Sequence, residues 1–122
     1  MNPGILMYGY GKSDADRIND SITKTIKKPL FITSAVGKES EIIDSLINTH
    51  QENKFEDKDT KIIMFINITN EEIQHILKEF PIAVQRPVFC GLTKHNISWS
   101  FSQLKEHLLE EQRYWEKQKN KE

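Results

Sequence analysis

The chain has 122 residues, 37% hydrophobic and 29% charged, which suits one domain with a single core and a wet surface. A formal net charge of −1 and only three arginines (Arg17, Arg86, Arg113) leave no basic stripe, so nucleic acid is not an expected partner. The longest apolar run, residues 62–66, is far short of the roughly 20 residues that span a bilayer, so no membrane segment is expected.

Taken in chain order, residues 4–10 (GILMYGY) read as a buried strand. A helix is expected from Ser13, whose hydroxyl suits a cap, with Asp16 complementing the dipole and Ile18, Ile22 and Ile26 forming one stripe. Lys24, Lys27 and Lys28 crowd its end, where positive charge faces the carbonyls. Pro29-Leu30-Phe31-Ile32 opens a second strand on proline, and a second helix carries Ile42, Ile43, Leu46 and Ile47. Residues 51–60 (QENKFEDKDT) form a charged junction in which Phe55 is the expected anchor.

A third strand, KIIMFIN (61–67), leads to a capping box, Thr69-Asn70-Glu71-Glu72, with Ile68 and Ile73 placed as a hydrophobic staple. Ile73, Ile76, Leu77 and Phe80 are the expected stripe of that third helix. Pro87-Val88-Phe89-Cys90 opens a fourth strand. Ser100 with Gln103 repeats the capping box, and Trp99 with Leu104 repeats the staple. Phe101, Leu104, Leu108 and Trp115 continue along a last helix, and residues 116–122 read as a solvated tail.

Strand, helix, strand, helix, twice over, predicts a single α/β domain of two similar halves, about 4–50 and 61–115. The expected architecture is a small three-layer fold with a four-stranded, mainly parallel sheet in the order 2-1-3-4. That order sets the two first strands side by side. The nearly continuous apolar strands fit a sheet covered on both faces.

In an open α/β sheet, ligands bind beyond the carboxyl ends of the strands. The four loops expected there make Gly11, Lys12, Ser13, Asn67, Thr69, Asn70, Thr93, His95 and Asn96 the candidate ligand-binding residues. Gly9-Tyr10-Gly11-Lys12-Ser13 echoes the end of a phosphate loop, in which backbone N–H groups and a lysine cradle an anion. The motif is incomplete: Leu6 stands where its first glycine belongs, and the third strand ends on Asn67 instead of an acid for Mg²⁺. His95 sits in a polar loop but has no Ser, Cys or carboxylate at a recognisable spacing. His50, His75 and His107 with Cys90 show no metal-ligand spacing, so neither a metal nor a cofactor is expected. Cys90, within a strand, reads as a small buried hydrophobe.

The string Arg86-Pro87-Val88-Phe89-Cys90-Gly91-Leu92-Thr93-Lys94-His95-Asn96-Ile97-Ser98-Trp99, followed by Leu104, Leu108 and Leu109, resembles the prokaryotic domain-of-unknown-function family 3783 over about residues 60–115. The resemblance implies a prokaryotic cytoplasmic domain and no particular activity, and it directs attention to Arg86, Thr93, Asn96 and Trp99. The solitary Cys90, which allows no intramolecular disulfide, suits the same compartment, and the opening MNPGILMYGYG has no charged segment or cleavage pattern of a signal peptide. The expected function is a non-catalytic binding or assembly module, with a homo-oligomer or another protein as the partner, because Tyr114 and Trp115 lie far along the last helix. The competing expectation is a small enzyme or sensor that holds an anionic metabolite or nucleotide at the carboxyl edge of the sheet.

Overall fold

The computed structural model describes residues 2–49 and 52–120. Expectations that touch His50, Gln51 and residues 121–122 lie outside them. In chain order the elements are β1 (Gly4–Tyr8), α1 (Lys12–Ile26), β2 (Phe31–Ser34), α2 (Ile43–Asn48), β3 (Ile62–Ile66), α3 (Asn70–Lys78), β4 (Val88–Gly91) and α4 (Phe101–Asn120). The strands form one sheet in the order β2-β1-β3-β4, as the sequence predicts.

Alternation along the strands splits the core in two. Ile5 and Met7 of β1 and Ile63 and Phe65 of β3 face one side, where Ile18, Ile22 and Ile26 of α1 and Ile76 of α3 cover them. Leu6, Tyr8, Ile62, Met64 and Ile66 face the other side, under Ile43 and Leu46 of α2 and Phe101, Leu104 and Leu108 of α4. A side chain period of two in the strands and helical stripes above and below them thus produce the three layers.

The sheet is mixed. β1 pairs with β2, and β3 with β4, in parallel, but the central ladder between β1 and β3 is antiparallel, with Leu6 opposite Met64. The cause lies in the chain between the halves. A helix of six residues such as α2 spans about 9 Å, too little to carry the chain back along the sheet. The following segment instead crosses the carboxyl end of β2, where Asn53 accepts from the Ser34 N–H (2.9 Å) and donates to the Ile32 carbonyl (3.0 Å). It then meets the turn after β1, where the Lys58 N–H donates to the Gly9 carbonyl at 3.0 Å. β3 therefore starts where β1 ends and runs against it.

The halves share connectivity and register: Gly4 faces Phe31 as Ile62 faces Val88, and Met7 faces Ser34 as Phe65 faces Gly91. On one face the entries to α2 and α4 meet in a short antiparallel bridge between Ile42 and Ser100, with bonds from Ile43 N–H to the Trp99 carbonyl (2.9 Å) and from Phe101 N–H to the Glu41 carbonyl (3.0 Å). Ile42 thus sits before α2, 41% exposed, and does not belong to its buried stripe.

The other helix boundaries follow local chemistry. The Thr69–Glu72 box forms in full: the Glu72 N–H donates to Thr69 Oγ1 at 3.1 Å and the Thr69 N–H to Glu72 Oε1 at 3.0 Å. Ser100 and Gln103 exchange the same pair of bonds at 3.2 Å each. α1 departs from expectation: it starts at Lys12 with Gly11 as a cap that offers no side chain, and Ser13 lies inside its first turn.

Candidate functional site

The antiparallel central ladder decides where the candidate residues lie. Carboxyl ends of β1 and β2 point to one edge of the sheet, and those of β3 and β4 point to the opposite edge. Gly11, Lys12 and Ser13 follow β1, whereas Asn67, Thr69, Asn70, Thr93, His95 and Asn96 follow β3 and β4. The expected gathering of all four loops at one crevice is therefore corrected: two groups stand roughly 15 Å apart, the length of a five-residue strand.

At the first edge, the turn Gly9-Tyr10-Gly11 is filled by the protein itself. Gly9 has φ +92°, and a Cβ placed on it would come 2.1 Å from the Thr60 carbonyl oxygen. Tyr10 is buried, and its hydroxyl donates to the Gln85 carbonyl at 2.6 Å. Burial pushes its phenol well above the ordinary value, with Asp14 adding to the effect. Lys61 is buried alongside: its ammonium donates to the Lys58 carbonyl, pairs with Asp57 at 3.0 Å and lies 5.7 Å from the centre of the Tyr10 ring. Lys12 pairs with Asp16 at 2.6 Å and lies over the ring of Phe55, 5.5 Å from its centre. The lysine of the phosphate-loop echo is thus engaged by its own helix and by the crossing segment.

At the second edge the polar residues organise backbone. Asn96 is 7% exposed and makes three bonds: it accepts from the Thr93 N–H (2.8 Å), donates to the Gly91 carbonyl (2.9 Å), and its own N–H donates to Thr93 Oγ1 (3.0 Å). Thr69 caps α3, and Asn67 supplies the left-handed backbone (φ 52°) that starts the turn before it. Glu72, held by the Thr69 N–H and then by Lys28 at 3.0 Å, has its carboxyl lowered below the ordinary value. Asn70 opens α3, and His95 is exposed just before the 3-10 turn 96–98.

His75 lies in α3, and His107 in α4 beside Trp99, with ring centres 5.1 Å apart. Among the described residues, no three His, Cys, Asp or Glu side chains converge. Arg86 donates weakly to the Leu77 carbonyl and lies over the rings of Phe89 and Phe80, 5.2 and 5.9 Å from their centres. Cys90 faces α4, where burial pushes its thiol up to about 12, with Glu111 contributing. Among the described residues, no helix is long and apolar enough to cross a membrane.

A third region carries exposed aromatic surface. α4 continues past the sheet, so that residues 110–119 are all exposed, Tyr114 by 57% and Trp115 by 62%. The stripe Phe101, Leu104, Leu108 that packs on the sheet continues at helical spacing to the exposed Trp115. Between this part of α4 and β4 runs a groove of ≈ 480 Å³ to which β4 contributes Val88 and Phe89 and α4 contributes Leu108, Glu111, Gln112, Trp115, Glu116 and Lys119. β4 is an edge strand: the Val88 and Leu92 N–H groups donate inward to Lys61 and Phe65, so the Phe89 and Gly91 N–H groups between them point outward. β2, the other edge strand, is closed by Asn53. The sequence signal for this groove is the helical spacing from Leu108 to Trp115, but only the sheet's width shows that the stripe outruns it.

Residues 61–115 match a protein family described as Domain of unknown function (DUF3783). That is the family which the string from Arg86 to Trp99 resembles, and the matched stretch holds β3, α3, β4 and α4 as far as Trp115. No curated protein and no solved structure matches the chain.

Proposed function

We propose that the chain is a non-catalytic binding or assembly module of the prokaryotic cytoplasm whose contact surface is the corner between β4 and the overhanging half of α4. One observation carries this reading: the apolar stripe of α4 runs on to a tryptophan that is 62% exposed, on a groove that it lines together with Val88, Phe89 and Leu108. Large aromatic side chains left in water beside an apolar groove mark contact sites, because covering even the exposed part of each removes on the order of 100 Å² of apolar surface, about 2–3 kcal/mol. The matched family segment ends on that same Trp115. A single cysteine, which allows no intramolecular disulfide, suits a reducing compartment.

The competing reading, an anion site built from Lys12, Ser13 and the loops after β3, draws no support from a shared crevice, since those residues stand at opposite edges. Two measurements together test the choice. In extract of the source cell, size exclusion with immunodetection should place the wild-type chain well above its own 14.3 kDa, and Trp115→Glu should return it to that mass. A thermal-shift panel of nucleotides, phosphorylated metabolites and inorganic anions should leave the melting temperature unmoved. Elution of the wild type as a monomer, or a ligand-induced shift that Lys12→Ala abolishes, would contradict the reading.

A further inference from the structure

Resting on that reading, we infer that the occupant of the β4–α4 groove is a second copy of this chain, its α4 lying antiparallel across the first with the two Trp115 side chains at the dyad. Leu108, Glu111, Gln112, Trp115, Glu116 and Lys119 follow one another at intervals of three, one, three, one and three, which keeps them on one side of a helix. On that face Trp115 is flanked by an acid four residues before it and a base four residues after it.

The Glu111 and Lys119 pair of this face is complementary to itself in one orientation only. With two helices antiparallel about Trp115, Glu111 of each copy meets Lys119 of the other, and both contacts form at once, as a two-fold interface requires. Set parallel, the same face would bring Glu111 against Glu111 and Lys119 against Lys119. The charges are free for this use: among the described residues Lys119 has no ion-pair partner, and Glu111 has only His107 at 3.9 Å, a pair that needs a protonated imidazole.

The groove supplies the apolar part. Val88, Phe89 and Leu108 line it beside α4, and the outward-facing backbone of β4 borders it. It joins a smaller hollow of ≈ 200 Å³ through Val88 and Gln112, so the recess continues along the edge of the sheet toward Pro87. A single chain leaves Trp115 62% exposed; two copies cover it reciprocally.

The test uses the purified full chain and light scattering after size exclusion at about 200 µM. The wild type should show twice the mass of one chain. Trp115→Glu should be monomeric, and Glu111→Lys should weaken dimerisation at least tenfold by setting like charges together. The double variant Glu111→Lys/Lys119→Glu should recover dimerisation, because it exchanges the two ends of each ion pair; far-ultraviolet circular dichroism would verify that all variants fold. A monomeric wild type, or a double variant no better than Glu111→Lys alone, would overturn the inference. A purified wild type that is monomeric while running large in cell extract would overturn the second copy and leave the binding-module reading standing with a different partner.

Discussion

The α-carbon of Gly9 faces the carbonyl oxygen of Thr60 so closely that a methyl group on it would lie 2.1 Å from that oxygen. Two stretches of chain, the turn leaving β1 and the segment entering β3, are thereby locked at one edge of the sheet, together with the bond from the Lys58 N–H to the Gly9 carbonyl. The glycine resembling part of a phosphate loop is thus needed for chain-to-chain contact. Gly9→Ala should cost about 3 kcal/mol, from positive φ plus the clash, and is read as a lowered urea midpoint at unchanged slope. A loss below about 0.5 kcal/mol would show that this contact is easily relaxed.

Asn96 holds the loop after β4 by both ends of its amide, so Asn96→Ala should destabilise the fold by about 2 kcal/mol, leaving the Thr93 N–H and the Gly91 carbonyl without their partner. His95 next to it is exposed, and His95→Ala should change stability by no more than about 0.5 kcal/mol. Chemical denaturation of the two variants side by side checks both values.

The thiol of Cys90, pushed by burial from 9.0 to about 12, should be almost inert in the native state. At pH 8 it holds on the order of a thousandfold less thiolate than in the unfolded chain, so maleimide labelling should be slow until denaturant is added. The same shift has a sign for stability. Below pH 9 the thiol is protonated in both states, so its contribution is intact. Between about pH 9 and 12 the unfolded chain releases the proton and the native one keeps it, so stability falls as pH rises. Tyr8 and Tyr10, both raised from 10.0 chiefly by burial, extend the loss to higher pH. Urea midpoints at pH 8 and pH 10.5 should differ less in Cys90→Val than in the wild type.

Lys27 ends α1 in the left-handed region, with φ 57° and ψ 36°, a conformation that costs an ordinary side chain roughly 1–2 kcal/mol. Lys27→Gly should therefore raise stability by about 0.5–1 kcal/mol after the entropy of glycine is set against that relief. A thermal melt shows it as an increase of several degrees. A fall instead would mean that the Lys27 side chain contributes more than its backbone costs.

What could be read in the sequence was what local chemistry governs. Thr69 with Glu72 and Ser100 with Gln103 form reciprocal caps because each box needs only four consecutive residues. The stripes Ile18–Ile22–Ile26 and Phe101–Leu104–Leu108 reach the core because helical periodicity alone places them on one face. The strand order was also legible, but the direction of β3 was not. It depends on how far α2 carries the chain: α2 has only six residues, and the segment after it, through Asn53 and Lys58, leads to the turn after β1.

The antiparallel pairing of β1 with β3 separates Lys12 and Ser13 from Asn67, Thr69 and Asn70. It is the reason the loops expected to share a crevice do not. Asn53, which closes the edge of β2 with two side-chain bonds, gave no signal because it lies in a run of charged residues without periodicity. Trp115 was visible as part of a stripe, but its exposure follows from the width of a four-stranded sheet measured against a helix of twenty residues.

The central claim is that the β4–α4 corner, and not the turn after β1, is where this chain meets its partner. A photo-cross-linking benzoylphenylalanine placed at position 114 in the source cell, and separately at position 12, tests it most directly. The account predicts a covalent protein adduct from position 114 on irradiation and none from position 12. An adduct from position 12 with none from position 114 would contradict it.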